Sequence, residues 1–547
     1  MKLRFFSSRS VLCSNESGDM KFLLAGTLNV TLCLVQLSHM TFAAERADPS
    51  HRPNIVIIFA DDLGFSDVGC YGGEIETPNL DQMFAEGMRF SQFYNCALCG
   101  PSRAALMTGQ FPHRVGIESW TGLLNNRCVT LFELFKRAGY QTAAVGRLDM
   151  TTADVWHDPA NIARYVERFL GSTGHNGPGH YFKAVHNNDF FRDGRPFTLP
   201  EDSYKTDLIT DFATDFIAEA SEKTSPFLLY VSEYAPHWPL HAKPEDITKY
   251  RERYRTSGWD TARQNRYERL VASGLIPDSS ALSPRDDQAV AWSQSAHQDW
   301  EADRMAAYAA QVDSLDQSVG RILAALKEAN VDQETLVIFL SDNGASDWSM
   351  KGALDKPGRT WRLDGKPTSV GNVPANAPGS PDTFMTAGPA WANLSNAPFR
   401  RHKQSNYEGG ISTPCIVRWP AAIKENGATS NELAHIVDVM ATCLEVAAVP
   451  YPSEFNGRAV APLCGISLLP IFQDKQRDGH ASLCWATSGS RAVREGNWKL
   501  VADKERPWEL YDLSVDRTEL HDLAATYPDR VKHLDAIFHE WKELPRE

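Results

Sequence analysis

The run Ile55-Val56-Ile57-Ile58-Phe59-Ala60 is apolar without a break and is followed at once by two carboxylates, Asp61-Asp62. A strand with one face in water alternates polar and apolar residues; a strand buried on both faces does not. The run therefore predicts an interior strand of a parallel sheet with helices on both sides. The pattern returns in Thr335-Leu336-Val337-Ile338-Phe339-Leu340, which ends in Ser341-Asp342-Asn343-Gly344, and in residues 225–231. Helical periodicity fills 80–88, 129–138, 208–220 and 305–329. Strands alternating with helices predict an α/β sandwich with a mostly parallel sheet, here over 50–464.

The grammar changes after about Gly465. Short strand-like pieces, Ala492-Val493-Arg494, Trp498-Lys499-Leu500-Val501 and Glu509-Leu510-Tyr511, precede an amphipathic helix over 528–541. Residues 465–547 thus read as a small α+β domain with an antiparallel sheet. The Gly-, Pro- and Ser-rich stretch 346–395 reads as a functional or mobile loop.

The N-terminus has a basic start (Lys2, Arg4, Arg9), an apolar stretch over 22–37 broken by Asn29, Thr31 and Gln36, and small residues at Ala43-Ala44. It reads as a signal peptide over 1–43, with Met20 a second candidate start, and implies a secreted or periplasmic protein without a stable membrane span. The other reading of this stretch is an uncleaved anchor. Eight cysteines follow it, too few in so long a chain for a disulfide scaffold, though one or two bridges fit an exported protein. A formal net charge of −14 argues against a nucleic-acid binder working through overall basicity. It leaves an anionic substrate open, because a few convergent cations in a cleft outweigh a distant, screened acidic surface.

In open α/β sheets ligands bind beyond the carboxyl ends of the strands, where both acidic clusters stand. Asp61, Asp62, Asp342 and Asn343 offer only oxygen donors, which suits Ca²⁺ or Mg²⁺ and not zinc. Taken alone, the first pair reads as a helix cap and the second as a turn. Their recurrence at equivalent strand ends points to one hard-cation site.

Between them lies Cys99-Gly100-Pro101-Ser102-Arg103-Ala104-Ala105-Leu106-Met107-Thr108-Gly109. This segment resembles the type I sulfatase family, within the alkaline-phosphatase superfamily, whose motif is C-x-P-S-R with a Leu-Thr-Gly-like tail. The likeness continues through Thr77-Pro78-Asn79-Leu80-Asp81, Ala235-Pro236-His237, Ser341-Asp342-Asn343-Gly344 and Lys403 before Glu408-Gly409-Gly410. Near the end, Trp508-Glu509-Leu510-Tyr511-Asp512-Leu513 is similar to that family's C-terminal domain, and 387–400 to its arylsulfatase-type members.

The resemblance implies an alkaline-phosphatase-like sandwich and hydrolysis of an aryl sulfate or sulfated carbohydrate. It implies that a formylglycine-generating enzyme oxidises Cys99 to formylglycine. The hydrated aldehyde has two hydroxyls on one carbon, one to attack sulfur and one to expel sulfate. Asp61, Asp62, Asp342, Asn343 and the modified Cys99 would hold one Ca²⁺. Arg103, His237 and Lys403 would surround the sulfate, with His237 or Lys403 assisting the leaving alcohol.

Two departures qualify the likeness. Members carry Gly-Lys-x-His where this chain has Gly146-Arg147-Leu148-Asp149. Arg147 keeps the charge and can bind sulfate but is a poor acid or base, and Asp149 adds an anion, with His157 a candidate spatial substitute. Trp485-Ala486-Thr487-Ser488-Gly489-Ser490 replaces a Trp-Glu-His-x-Gly-Asn segment and is expected to border the substrate pocket. The alternatives are a phosphonate monoester or phosphodiester hydrolase on the same scaffold, or a non-catalytic binder of sulfated glycans.

Overall fold

The computed structural model describes residues 52–119, 122–149, 161–162, 165–173, 182, 190–200, 203–350 and 367–544. The segment read as a signal peptide, Met20 and His157 lie outside the described residues.

The strand Asn54–Asp61 runs through the middle of a ten-stranded sheet, parallel to Phe227–Pro236 on one side and to Thr335–Ser341 on the other. Its unbroken apolar run has a direct cause. Ile55, Ile57 and Phe59 enter the core on one face, Val56, Ile58 and Ala60 the core on the other, and all six are fully buried. Gln141–Arg147 and Arg168–Ser172 extend the parallel part, while Cys415–Arg418 inserts antiparallel between Thr335–Ser341 and Met88–Phe90. The sheet is thus mixed and mostly parallel.

Helices Lys205–Ser221, Pro244–Ala272 and Gln298–Glu328 cover one face, and Cys99–Thr108, Leu131–Arg137 and Asp438–Val446 the other. Pro244–Ala272 has no counterpart among the helices predicted from periodicity. Its sequence is crowded with charges that meet partners on neighbouring elements, as in Arg251–Asp303 at 2.6 Å, Arg266–Asp67 at 2.7 Å and Arg266–Glu74 at 2.7 Å. The helix still buries an apolar stripe, Ile247, Tyr250, Tyr254, Trp259 and Leu270, but the charges between them mask its periodicity in the sequence. The helix is interrupted at Gly258 (φ 57°), where a Cβ would lie 2.3 Å from the Trp292 ring.

The C-terminal part forms a four-stranded antiparallel sheet, Leu483–Thr487, Ser490–Glu495, Trp498–Ala502 and Glu509–Asp512, with helix Pro528–Lys542 against it. Cys484, Val493, Leu500 and Leu510 pack on Leu534 and Phe538 of the helix; Trp485, Ala492, Val501 and Tyr511 join the main core. Lys499, fully buried, pairs with Glu408 at 2.8 Å and Glu519 at 2.7 Å. The described residues fall into one compact unit. All eight cysteines from Cys70 to Cys484 are free thiols. Among the described residues, no helix is long and apolar enough to cross a membrane.

Candidate active site

Register creates the site. Ala60 pairs with Ser341 in the parallel ladder, so the residues that follow them emerge side by side. Asp62, in the left-handed region at φ 66°, donates its N–H to Asp342 Oδ1 at 3.0 Å, and Asn343 Nδ2 donates to Asp62 Oδ1 at 2.6 Å. Past the next strand, His237 places Nε2 3.6 Å from Asp62 Oδ2. Its Nδ1 lies 2.6 Å from the Trp238 carbonyl, which can only accept, so the ring's other nitrogen is the one that exchanges a proton at the cavity.

Cys99 opens a helix whose residues 99–108 are all buried. Its Sγ lies 3.5 Å from Arg147 Nη2, and Arg147 also binds Asp61 and, at 2.9 Å, Asp149. One turn further along that helix, Arg103 reaches Asp61 at 3.1 Å, Asp342 at 3.4 Å and the Arg147 carbonyl at 2.8 Å. Lys403 bonds Asp62, its own N–H held by Ala345 O at 3.2 Å. The side chains singled out in the sequence thus form one linked cluster.

Oxygens in this cluster are left over. Among the described residues, Asp61 Oδ1, Asp62 Oδ2 and Asn343 Oδ1 are buried without a hydrogen-bond partner, an arrangement that costs free energy unless something binds them. They belong to three of the four oxygen-donor residues proposed from the sequence, and a hard divalent cation fits that set. His237 stands where it could join Asp61 and Asp62 as a ligand. Charge agrees with the fit: burial and the neighbouring Asp61 push the Asp342 carboxyl well above its ordinary range. Burial pushes Asp61 the same way, but Arg147, His237, Arg103 and Lys403 hold it below. Burial also lowers His237, leaving a neutral ring at pH 7. Burial, then Asp149, raises the Cys99 thiol to about 12, so the unmodified side chain is a weak nucleophile.

Cys99, Arg147, Asp149, His237 and Lys403 line one end of a cavity of about 1020 Å³. Trp238 and Trp348 form an apolar wall beside them, their rings 4.4 Å apart and edge to face. Arg103 differs from expectation: it is fully buried behind the carboxylates and is not among the described residues lining the cavity. The strip 485–490 also departs from expectation. Trp485 Nε1 donates to Asn95 O at 2.7 Å and Thr487 Oγ1 to Cys96 O at 2.9 Å, and this edge faces a separate, much smaller cavity beside His113 and Trp541. The reason is sheet alternation, which turns Trp485 toward the main core. Asp149 does stand in the cavity wall, its charge met by Arg147.

Sequence reasoning overlooked Ser232, whose hydroxyl joins Arg103 to the Arg147 carbonyl, and Asn396, which accepts from Ala345 N at 2.8 Å and donates to Arg401 O at 3.2 Å. Asn396 fixes the loop that carries Lys403 against the loop that follows Asn343. Neither residue has a distinctive local pattern; only tertiary neighbours reveal it.

A sheet that gathers three aspartates and a cysteine-headed helix beneath a cavity end lined by Arg147 and Lys403 fits a hydrolase of oxyanion esters. The Sulfatase family profile matches residues 53–449, and the profile of the N-sulphoglucosamine sulphohydrolase C-terminal region matches 401–542. An uncharacterized sulfatase of Schizosaccharomyces pombe is 32% identical, over 89% of this chain and 92% of its own. The arylsulfatase of Klebsiella aerogenes is 29% identical, over 83% and 100%. The crystal structure of Ps i-CgsB with k-i-k-neocarrahexaose superposes with a TM-score of 0.65 at 24% identity, covering 90% of this chain and 93% of that one. The chain belongs to the sulfatase family, has its alkaline-phosphatase-like fold, and is a sulfuric ester hydrolase.

Proposed function

We propose that this enzyme is a secreted, calcium-dependent sulfatase that uses a formylglycine made from Cys99 by a formylglycine-generating enzyme. The observation that carries the reading is the position of Cys99, at a helix start on the cavity wall, with Asp61, Asp62, Asp342 and Asn343 grouped beneath and Arg147, His237 and Lys403 around it. Calcium would be held by Asp61, Asp62, Asp342, Asn343 and the modified Cys99, and the two groups together would supply a polarised sulfate oxygen and an oxygen nucleophile.

The chain's own residues do the rest. Lys403 and Arg147 present cationic donors where the sulfate enters, stabilising charge on its oxygens. Burial opposes the charge on Lys403, but Asp62, Cys99 and Asp61 outweigh it and keep the ammonium protonated. His237 donates its Nδ1–H to the Trp238 carbonyl and turns an unprotonated Nε2 toward the cavity as an acceptor, so the proton for the departing alcohol oxygen comes from the Lys403 ammonium. Arg103 orders Asp61, Asp342 and the Arg147 backbone from behind, and is a positioning residue.

The test is peptide mass spectrometry across Cys99 in enzyme from its native source, paired with hydrolysis of 4-nitrophenyl sulfate by wild type and Cys99→Ala. Formylglycine at 99 and loss of turnover in the variant are expected. An unmodified thiol in active enzyme would overturn the mechanism. Faster hydrolysis of a matched aryl phosphodiester would favour the phosphodiesterase alternative.

A further inference from the structure

The cavity is far larger than a sulfate group needs, and its other wall holds a pair of side chains that the mechanism does not use. Glu301 and Arg304, three residues apart on the helix Gln298–Glu328, both line it. Arg304 Nη2 meets Glu301 Oε2 at 2.6 Å. That same oxygen accepts from Trp391 Nε1 at 3.1 Å, and the Arg304 guanidinium lies 4.8 Å from the centroid of the Trp300 ring. Trp300 is itself pinned, its Nε1 donating to Asn376 O at 2.8 Å. The pair is therefore held rigidly from behind and below.

What it presents forward is unsatisfied. Among the described residues, Glu301 Oε1 and Arg304 Nη1 have no hydrogen-bond partner, and Arg304 Nε is buried without one. Arg304 is only 6% exposed, so bulk water gives it little compensation. An open acceptor and an open donor stand side by side on one cavity wall. A second acid group on the substrate would meet Arg304 favourably but also the Glu301 oxygen, with which it would clash electrostatically. An aryl ring would cover both polar atoms and leave them unpaired, which is costly. A hydroxyl donates and accepts at once, and neighbouring hydroxyls on a sugar ring satisfy both atoms together.

We propose that the Glu301–Arg304 pair is a specificity-determining subsite that binds hydroxyl groups of the substrate, so that the organic part of the ester is a carbohydrate rather than an arene. The inference rests on the sulfatase reading and adds the substrate class to it. The Trp238 and Trp348 rings, which line the same cavity, offer an apolar surface for a sugar face. Sites that read a hydroxyl discriminate strongly against analogues lacking it, because their polar atoms are then left unpaired.

The experiment compares kcat/KM on a panel of hexose and hexosamine monosulfates with kcat/KM on 4-nitrophenyl sulfate, for full-length, formylglycine-bearing wild type, Glu301→Gln, Arg304→Met and Arg304→Lys. Wild type should hydrolyse at least one sugar sulfate. The sugar-to-aryl ratio for that substrate should fall about tenfold or more in Arg304→Met and Glu301→Gln, as expected for a lost charge-assisted hydrogen bond, with Arg304→Lys between. A structural role alone would lower both activities together, and a ratio within about twofold of wild type in the variants overturns the proposal. Turnover of the aryl sulfate with none of the sugars overturns it equally. If modified wild type cleaves no sulfate ester at all, the sulfatase reading itself fails.

Discussion

Arg103→Lys is the sharpest probe of how the site is ordered. The native guanidinium is fully buried and spreads its contacts over two sides. Nη1 serves the Arg147 carbonyl at 2.8 Å and the Ser232 hydroxyl, and Nη2 serves Asp61 at 3.1 Å and Asp342 at 3.4 Å. Lysine keeps the charge but ends in a single nitrogen, which can stay with the carboxylates or with the carbonyl, not both. At least two charge-assisted bonds are lost, each about 1.5–3 kcal/mol. If that order is needed at the transition state, the sum of about 3–6 kcal/mol corresponds to about 10²–10⁴ in kcat/KM. Steady-state hydrolysis of 4-nitrophenyl sulfate provides the assay, and the loss should fall mainly on kcat because Arg103 lies behind the cavity wall. Activity within threefold of wild type would refute the positioning role. A raised KM with kcat intact would mean that Arg103 reaches the sulfate.

Calcium should raise the melting temperature of chelator-treated enzyme, by a free energy of about 2.7 kcal/mol at a hundredfold excess over Kd. Because Asp342 is pushed upward by burial and Asp61, calcium must displace its proton at low pH, so the shift should be larger at pH 8 than at pH 5; equal shifts would count against Asp342 as a ligand. Asp149→Asn removes an anion from the cavity wall, and inorganic sulfate should then inhibit at lower concentration. An unchanged inhibition constant would show that Arg147 already cancels the charge. Lys205 is fully buried beside the Phe190 and Tyr234 rings, its ammonium without a hydrogen-bond partner among the described residues, and burial lowers it from 10.5 to about 7. The folded chain releases that proton before the unfolded one, so the penalty is full below pH 7 and fades toward pH 10.5, a span worth about 5 kcal/mol at 1.36 per unit. Ring contacts offset part of it. Lys205→Met should therefore melt higher than wild type at pH 6, with a smaller gain at pH 9.5, and a lower melting temperature at pH 6 would refute the argument.

Much of this was legible in the chain itself. The six apolar residues before Asp61 declared an interior parallel strand because both of its faces meet a core, and the Cys99 motif with its acidic strand ends declared the chemistry. Covalent order sufficed there, since each feature lies within a few consecutive residues. What needed the tertiary structure was every relation between distant segments. Arg103 sits one helical turn from Cys99, yet the parallel carboxylates place it behind the site and not in the cavity. The strip 485–490 turns inward because alternation in its sheet commits Trp485 to the main core. Glu301 and Arg304 belong to an ordinary-looking charged helix, and become a pair with open polar atoms only where Trp391 and Trp300 hold them against the cavity. Local sequence encodes local periodicity and reactive groups; which polar atoms remain unpaired depends on partners brought from far along the chain.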